Sequence, residues 1–239
     1  MVIVEAAART HIGLVRRRNE DSVYTGEWLF AVADGLGGHV AGDIASATVI
    51  ETLKSHDRQA DPADLSAVLG EAISAANEAL RHRIEDDPDL AGMGTTLVAM
   101  LRSGTRAVLA NVGDSRAYLL RDTGSEVQQL SQITEDHVYG RLVADAASVP
   151  HLPERLARFL DGRADGRSPD LARWDLRPGD RFLLCSDGLS AVVPNELISD
   201  TMRSSGDPGE TAERLVTLAI ERGGPDNITV VVIAVQGPS

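Results

Sequence analysis

Apolar and β-branched runs bounded by Gly, Asp or Ser predict strands at residues 2–7, 28–33, 96–101, 106–112, 117–121, 182–185 and 228–235. The links Ser103-Gly104, Gly113-Asp114-Ser115 and Asp122-Thr123-Gly124 are too short for a parallel crossover, so the middle of the chain reads as an antiparallel meander. Helical spacing appears elsewhere. Leu65, Val68, Leu69, Ala72, Ile73, Ala76, Leu80 and Ile84 recur at three- and four-residue steps, which predicts one long amphipathic helix over 64–85. Further helices are expected from 41 or 42 to 54, over 195–203, and over 210–222, the last stopped by Gly223-Gly224. Helices flanking runs of antiparallel strands predict an α+β fold in which sheet layers are covered by helix layers. No linker divides the chain, so one domain over 1–239 is expected. The stretch 131–173 breaks the pattern with Gly140, Pro150, Pro153, Gly162, Gly166 and Pro169. It is expected to be a mobile flap with one short helix over 153–160.

Charge narrows the range of partners. Lys and Arg total 23 against 36 Asp and Glu, a formal charge of −13, which argues against a nucleic-acid binder. Hydrophobic residues at 43% exclude an acidic disordered tail, and aromatics at 3% leave the core to Ala, Val, Leu and Ile. The single cysteine, Cys185, lies in an apolar run and cannot form an internal disulfide. The N-terminus lacks a secretory pattern, and nothing approaches the roughly 20 apolar residues of a membrane span. A cytoplasmic protein without a membrane segment is expected. The chain stops within a few residues of the last strand, so any tether is expected on a separate chain.

The position of the acids is more informative than their number. Predicted strands end in Asp34-Gly35, Gly113-Asp114 and Ser186-Asp187-Gly188, while Asp226-Asn227 and Asn19-Glu20-Asp21 open others. Each Asp-Gly alone is ordinary turn chemistry. If the strand ends lie together, however, the carboxylates repel and persist only with protons or cations. Oxygen ligands without His or Cys companions favour Mg²⁺ or Mn²⁺ over Zn²⁺. Gly35-Leu36-Gly37-Gly38 is not a dinucleotide fingerprint, because Val40 takes the third glycine position and a helix follows. No Gly-Lys-Ser/Thr occurs, and Gly92-Met93-Gly94-Thr95-Thr96 reads as a tight strand entry. Arg16, four residues before Glu20, is placed to hold a phosphate; the alternative is that Arg16, Arg17 and Arg18 are simply solvated.

Taken together, Arg16-x-x-x-Glu20-Asp21, Ala33-Asp34-Gly35-x-Gly37-Gly38, Gly92-Met93-Gly94-Thr95-Thr96, Asn111-Val112-Gly113-Asp114-Ser115-Arg116, Asp136-His137, Gly179-Asp180, Ser186-Asp187-Gly188-Leu189 and Asp226-Asn227-Ile228-Thr229 resemble the PP2C (PPM) family of metal-dependent protein phosphatases, in its compact bacterial form. The resemblance implies a four-layer α/β/β/α sandwich with two central antiparallel sheets. It implies phosphoserine and phosphothreonine hydrolysis by direct attack of a hydroxide bridging two Mn²⁺ or Mg²⁺ ions. Asp34 would bridge the ions, with Asp187 and Asp226 on one and the Gly35 carbonyl on the other, which Glu20 would support through water. Asp114 would help hold a third, weaker ion, Asp21 would support the set, and Arg16 would clamp the phosphate. Phosphoproteins, in particular a Ser/Thr kinase or its targets, would be the partners of a monomeric enzyme.

Two departures stand out. Animal members carry a histidine, proposed as the acid for the leaving group, where this chain has Leu36. His39, His137 and a metal-bound water are the candidates to replace it. Within the flap, Val138 stands where serine is common, and residues 157–162 only partly match the family segment. The competing readings are a catalytically silent phosphoprotein-binding regulator of the same fold, which would be expected to lose Asp34, Asp187 or Asp226, and a calcium protein, which would need an Asp-x-Asp-x-Asn/Asp-Gly loop that is absent.

Overall fold

A computed structural model of the chain describes residues 2–36, 41–122, 124, 128–143, 146–164 and 168–237. In chain order the strands are β1 (Ile3–His11), β2 (Asp21–Thr25), β3 (Leu29–Leu36), β4 (Gly94–Thr95), β5 (Leu97–Ser103), β6 (Arg106–Val112), β7 (Arg116–Arg121), β8 (Gln129–Gln132), β9 (Asp170–Asp175), β10 (Arg181–Cys185) and β11 (Ile228–Gln236). The helices are α1 (Gly42–Lys54), α2 (Leu65–Asp86), α3 (Tyr139–Leu142), α4 (Asp187–Ser190), α5 (Asn195–Ser204) and α6 (Pro208–Glu221). One sheet has the order β1-β11-β10-β7-β8; the other runs β2-β3-β5-β6-β9, with β4 paired to β3, and every pairing is antiparallel.

The two-residue period of the strands sorts side chains into layers. From β3, Leu29, Ala31 and Ala33 pack under α1 and α2, while Phe30 and Val32 turn to the space between the sheets. From β10 and β11, Leu183, Cys185, Val230 and Val232 pack under α5 and α6, while Phe182, Leu184, Val231 and Ile233 meet Phe30 and Val32 in the middle. The result is the expected α/β/β/α sandwich. Strands buried on both faces explain the nearly continuous apolar runs in the sequence. Cys185 is buried in the helix-side layer, and burial pushes its thiol up to about 12, so it is inert as a nucleophile.

Three expectations need correction. Gly113-Asp114-Ser115 does not close a hairpin: β6 pairs with β5 and β9, β7 pairs with β10 and β8, and the link carries the chain from one sheet to the other. The segment 131–173 is not wholly a flap, since β8 and β9 occupy its two ends as edge strands. What lies between is tethered by the bridges Thr95 to Leu160 and Val138 to Leu156. No helix forms over 153–160; the short helix is α3, upstream of Pro150 and Pro153.

Away from the strand mouths that carry the acids, Asp57 ties the β2–β3 turn to the end of α1. Its Oδ1 accepts from the Trp28 and Leu29 amides at 2.8 and 2.9 Å, and its Oδ2 from the Tyr24 hydroxyl at 2.8 Å and the Glu27 amide at 3.1 Å.

Candidate functional site

The β2–β3 ladder sets Asp21 directly opposite Asp34. Asp34 is fixed by its own backbone: its N–H donates to Thr96 Oγ1 at 3.1 Å, and its carbonyl accepts from Thr96 N–H and Thr95 Oγ1, each at 2.9 Å. Gly35 then passes close to the start of α1. Its N–H donates to the Glu20 carbonyl at 3.1 Å, and a Cβ here would stand 2.1 Å from the Gly42 carbonyl oxygen. Only glycine fits that approach. From the other sheet, Ser186 Oγ accepts from the Thr229 amide at 3.0 Å and donates to Asp21 Oδ2 at 2.8 Å. Thr96 Oγ1 and Ser115 Oγ make a second buried link across the sheets at 2.7 Å. These hydroxyls lock the ends of both sheets beneath a common cavity.

That cavity has a volume of about 410 Å³ and is lined by Arg16, Glu20, Asp34, Gly35, Asp114, Asp187 and Asp226, together with Leu36, Asn227 and the flap residues Glu154 and Leu156. Asp21 lies behind it, buried. Arg16 Nη2 contacts Asp226 Oδ2 at 2.5 Å, with half of the arginine side chain exposed. Asn227 organises the approach: its Oδ1 accepts from the Glu20 amide at 2.8 Å, and its Nδ2 donates to the Ile12 and Arg18 carbonyls, both at 2.9 Å.

The two histidines fare differently from the acids. His39 lies outside the described residues. His137 is buried and does not line the cavity: its Nδ1 accepts from the Gly113 amide at 3.0 Å, and its Nε2 meets Asp170 Oδ2 at 2.9 Å. That pattern fixes the Nε2–H tautomer and leaves no proton to offer at the cavity. The expectation of His137 as an acid is corrected to that of an anchor, holding the flap to the residue before Asp114.

Protonation states reveal the electrostatic stress in the cluster. Burial, then repulsion from Asp21 and Asp187, holds the Asp34 carboxyl well above its usual range. Burial, then the charge of Asp187, raises Asp114 to about 7, and burial raises Asp21 to about 6. Asp187 is raised by burial and by Asp226, and Glu20 by burial and by Asp43. Arg16 is raised, chiefly through its bond to Asp226. Acids forced together this way need cations or protons.

The donor set fits hard divalent ions. Every candidate ligand is an oxygen, and the buried Asp21 Oδ1 has no hydrogen-bond partner. Among the described residues no three acidic, imidazole or thiolate groups close around a single point. An open ring of acids suits Mg²⁺ or Mn²⁺, which keep several waters, better than the closed tetrahedral cage of structural zinc.

Thr95, Thr96, Ser115 and Ser186 were not picked out by sequence reasoning as site residues. They stood within the motifs that carry the resemblance, but with no role of their own beyond a hydroxyl at the mouth of an otherwise apolar strand. Asn227 was visible as the neighbour of Asp226, but not as the clasp of a distant loop.

The arrangement of acids from two sheets around one cavity, with an arginine at its edge, defines a candidate metal-assisted phosphoryl-transfer site. The profile of the family described as Protein phosphatase 2C matches residues 16–218. Serine/threonine protein phosphatase PstP of Mycobacterium tuberculosis is 44% identical over 238 residues, which is 97% of this chain and 45% of PstP. Serine/threonine phosphatase stp of Listeria welshimeri is 34% identical, over 96% of this chain and 95% of that protein. The crystal structure of the PstP catalytic domain in complex with two manganese ions superposes with a TM-score of 0.88 at 44% identity, covering 99% of this chain and 100% of that one. The chain therefore belongs to the protein phosphatase 2C family. It spans less than half the length of PstP.

Proposed function

We propose that this chain is a metal-dependent protein phosphatase that hydrolyses phosphoserine and phosphothreonine. The observation that carries this reading is the shared cavity of Glu20, Asp34, Asp114, Asp187 and Asp226 with Arg16 at its edge. Relatives named serine/threonine protein phosphatases support it. Asp34, the Gly35 carbonyl, Glu20, Asp187 and Asp226 would hold two Mn²⁺ or Mg²⁺ ions, and Asp114 would contribute to a weaker third. When bound, the ions supply Lewis acidity for activating water and positive charge opposite the phosphoryl oxygens.

The residues of the chain do the rest. Arg16 offers its N–H groups to the phosphate oxygens, and its solvent-exposed half lets it leave Asp226 for that purpose. Thr96 and Ser186 keep Asp34 and Asp21 in place. In the reaction a water gives up a proton as its oxygen forms the new bond to phosphorus, the bond to the serine or threonine oxygen breaks, and that oxygen takes up a proton. With Leu36 apolar and His137 turned away, His39 and water in the cavity are the candidate sources of that proton. Residues 1–239 act as a single catalytic domain, with residues between β8 and β9 as its flap. The enzyme works as a monomer in the bacterial cytoplasm on substrates of a Ser/Thr kinase. Among the described residues no helix is long and apolar enough to cross a membrane.

Purified protein is expected to hydrolyse p-nitrophenyl phosphate and phosphoserine or phosphothreonine peptides with added Mn²⁺. Chelator should abolish this activity, as should Asp226→Asn in a folded protein. Full turnover in either case would overturn the reading.

A further inference from the structure

The link between β1 and β2 carries more than Arg16. Residues 12–18 read Ile-Gly-Leu-Val-Arg-Arg-Arg, and all but Gly13 are exposed. Leu14 and Val15 are 63% and 68% exposed, which is unusual for adjacent aliphatic residues. The loop is nonetheless firmly held. Asn227 binds the carbonyls of both Ile12 and Arg18, the Leu14 amide donates to the Gly224 carbonyl at 2.7 Å, and Gly13 at φ +81 presses on Asp226. A Cβ on Gly13 would lie 2.2 Å from the Asp226 carbonyl oxygen. The loop is thus built against the same segment that supplies Asp226; its Arg16 lines the cavity, and Leu14, Val15, Arg17 and Arg18 stand exposed on the same short loop.

Only Arg16 is engaged there. The guanidinium groups of Arg17 and Arg18 have no hydrogen-bond or ion-pair partner among the described residues. Three consecutive cations are conspicuous in a chain with 23 cations against 36 acids. The flap side of the cavity has the opposite character, contributing Glu154 and the apolar Leu156. The lining therefore carries a cation, Arg16, from the loop and an acid, Glu154, from the flap. That polarity favours a ligand whose extra negative charge lies toward the loop.

We propose that Leu14, Val15, Arg17 and Arg18 form a substrate-docking rim for phosphopeptides that carry further acidic or phosphorylated side chains beside the phosphoresidue, together with an apolar neighbour. This inference rests on the phosphatase reading above. Arg17 and Arg18 meet the added negative charge, and Leu14 with Val15 covers the apolar side chain. An anionic membrane is the weaker occupant, because a chain of net charge −13 is repelled from such a surface as a whole.

The test compares kcat/KM for two phosphothreonine peptides, one with Glu on both sides of the phosphoresidue and one with Ala. The proteins are the wild-type chain, the double variant Arg17→Ala/Arg18→Ala and the double variant Leu14→Ser/Val15→Ser, all with Mn²⁺. Exposed charge contacts of this kind predict a wild-type preference of about three- to tenfold for the acidic peptide at low salt, shrinking toward unity at high salt. The arginine variant should lose the preference while p-nitrophenyl phosphate turnover stays unchanged. The Leu14/Val15 variant should lose about two- to fivefold on a peptide with a flanking leucine. An equal preference in the arginine variant, or none in the wild type, overturns the inference. So does a result in which the variant loses only its binding to phosphatidylserine vesicles. Failure of the wild type to turn over p-nitrophenyl phosphate counts against the phosphatase reading instead. In that event fluorescence anisotropy of the labelled peptides still reads the rim directly.

Discussion

Replacing Asp34 with asparagine should make the ion-free protein more stable and the ion-loaded protein less so. Asp34 is partly buried in the cavity wall and is repelled by Asp21, Asp187, Asp114 and Asp226. Two unit charges about 5 Å apart at an effective dielectric of 20 repel by about 3 kcal/mol, and partial protonation relieves much of that. Removing one charge from the cluster should therefore return about 1–2 kcal/mol to the folded state, or about 2–8 °C in Tm for a chain of this size. The backbone bonds of residue 34 to Thr95 and Thr96 do not involve the substituted carboxyl, so they survive. In the wild type, Mn²⁺ at about 100 times its Kd should add about 2.7 kcal/mol, which corresponds to about 5–11 °C. The variant should gain little of this. Thermal melts by circular dichroism, with chelator and then with Mn²⁺, should show the two proteins exchanging order. A variant that melts below wild type in chelator, or that keeps the full Mn²⁺ shift, would refute the idea that this cluster is strained for want of cations.

Asp57→Ala removes the acceptor for three backbone amides and a phenol at the β2–β3 turn, and should cost about 2–4 kcal/mol in urea unfolding while leaving kcat unchanged. Burial alone would raise the Asp57 carboxyl, but bonds from Trp28, Tyr24, Glu27 and Leu29 hold it below its ordinary value of 3.8. Its contribution is thus fully present above that value and lost as pH falls through the lower folded value, so the gap between wild type and variant should close only in strong acid. Thr96→Val keeps the shape but strands the Asp34 amide and the Ser115 hydroxyl; about 1–3 kcal/mol lower stability and weaker Mn²⁺ binding by calorimetry are expected. His137→Ala should lower stability by a similar amount, about 1–3 kcal/mol, by leaving the buried Gly113 amide unpaired. The shape of its pH–rate profile should match that of the wild type; loss of one limb would restore His137 as a proton donor.

Much of this molecule could be read along the chain because its central strands are buried on both faces. β3, β10 and β11 therefore appear as unbroken apolar runs, and the acids that end them are conspicuous. The edge strands β8 and β9 gave no such signal. β8 reads Gln-Leu-Ser-Gln and β9 reads Asp-Leu-Ala-Arg-Trp-Asp, each mostly exposed and bonded on one side only, so nothing in them demanded apolar residues. The partition of strands between sheets was hidden for another reason. A three-residue link fits a hairpin and a step between layers equally well, and only the pairing of β7 with β10 separates the two. In the site, charge betrayed the ligand candidates. The uncharged residues that hold them, Thr95, Thr96, Ser115 and Ser186, look like any other strand-end hydroxyls until the sheets are packed. His137 could be a candidate acid along the chain because only the packing shows that its segment folds back to bury it against the Gly113 amide.

Neither sheet owns the acidic cavity. Glu20 and Asp34 belong to the β2–β3 side, Asp187 and Asp226 to the β10–β11 side, and Arg16 and Asp114 sit on two of the links that pass from one layer to the other. Either half of the sandwich, folded alone, would present only part of the ring. In a refolding experiment, recovery of Mn²⁺ affinity should therefore lag behind the return of strand signal, and mark the moment when the two layers register. By the same logic a bound ion acts as a clasp across the seam, slowing the first step by which the layers would part.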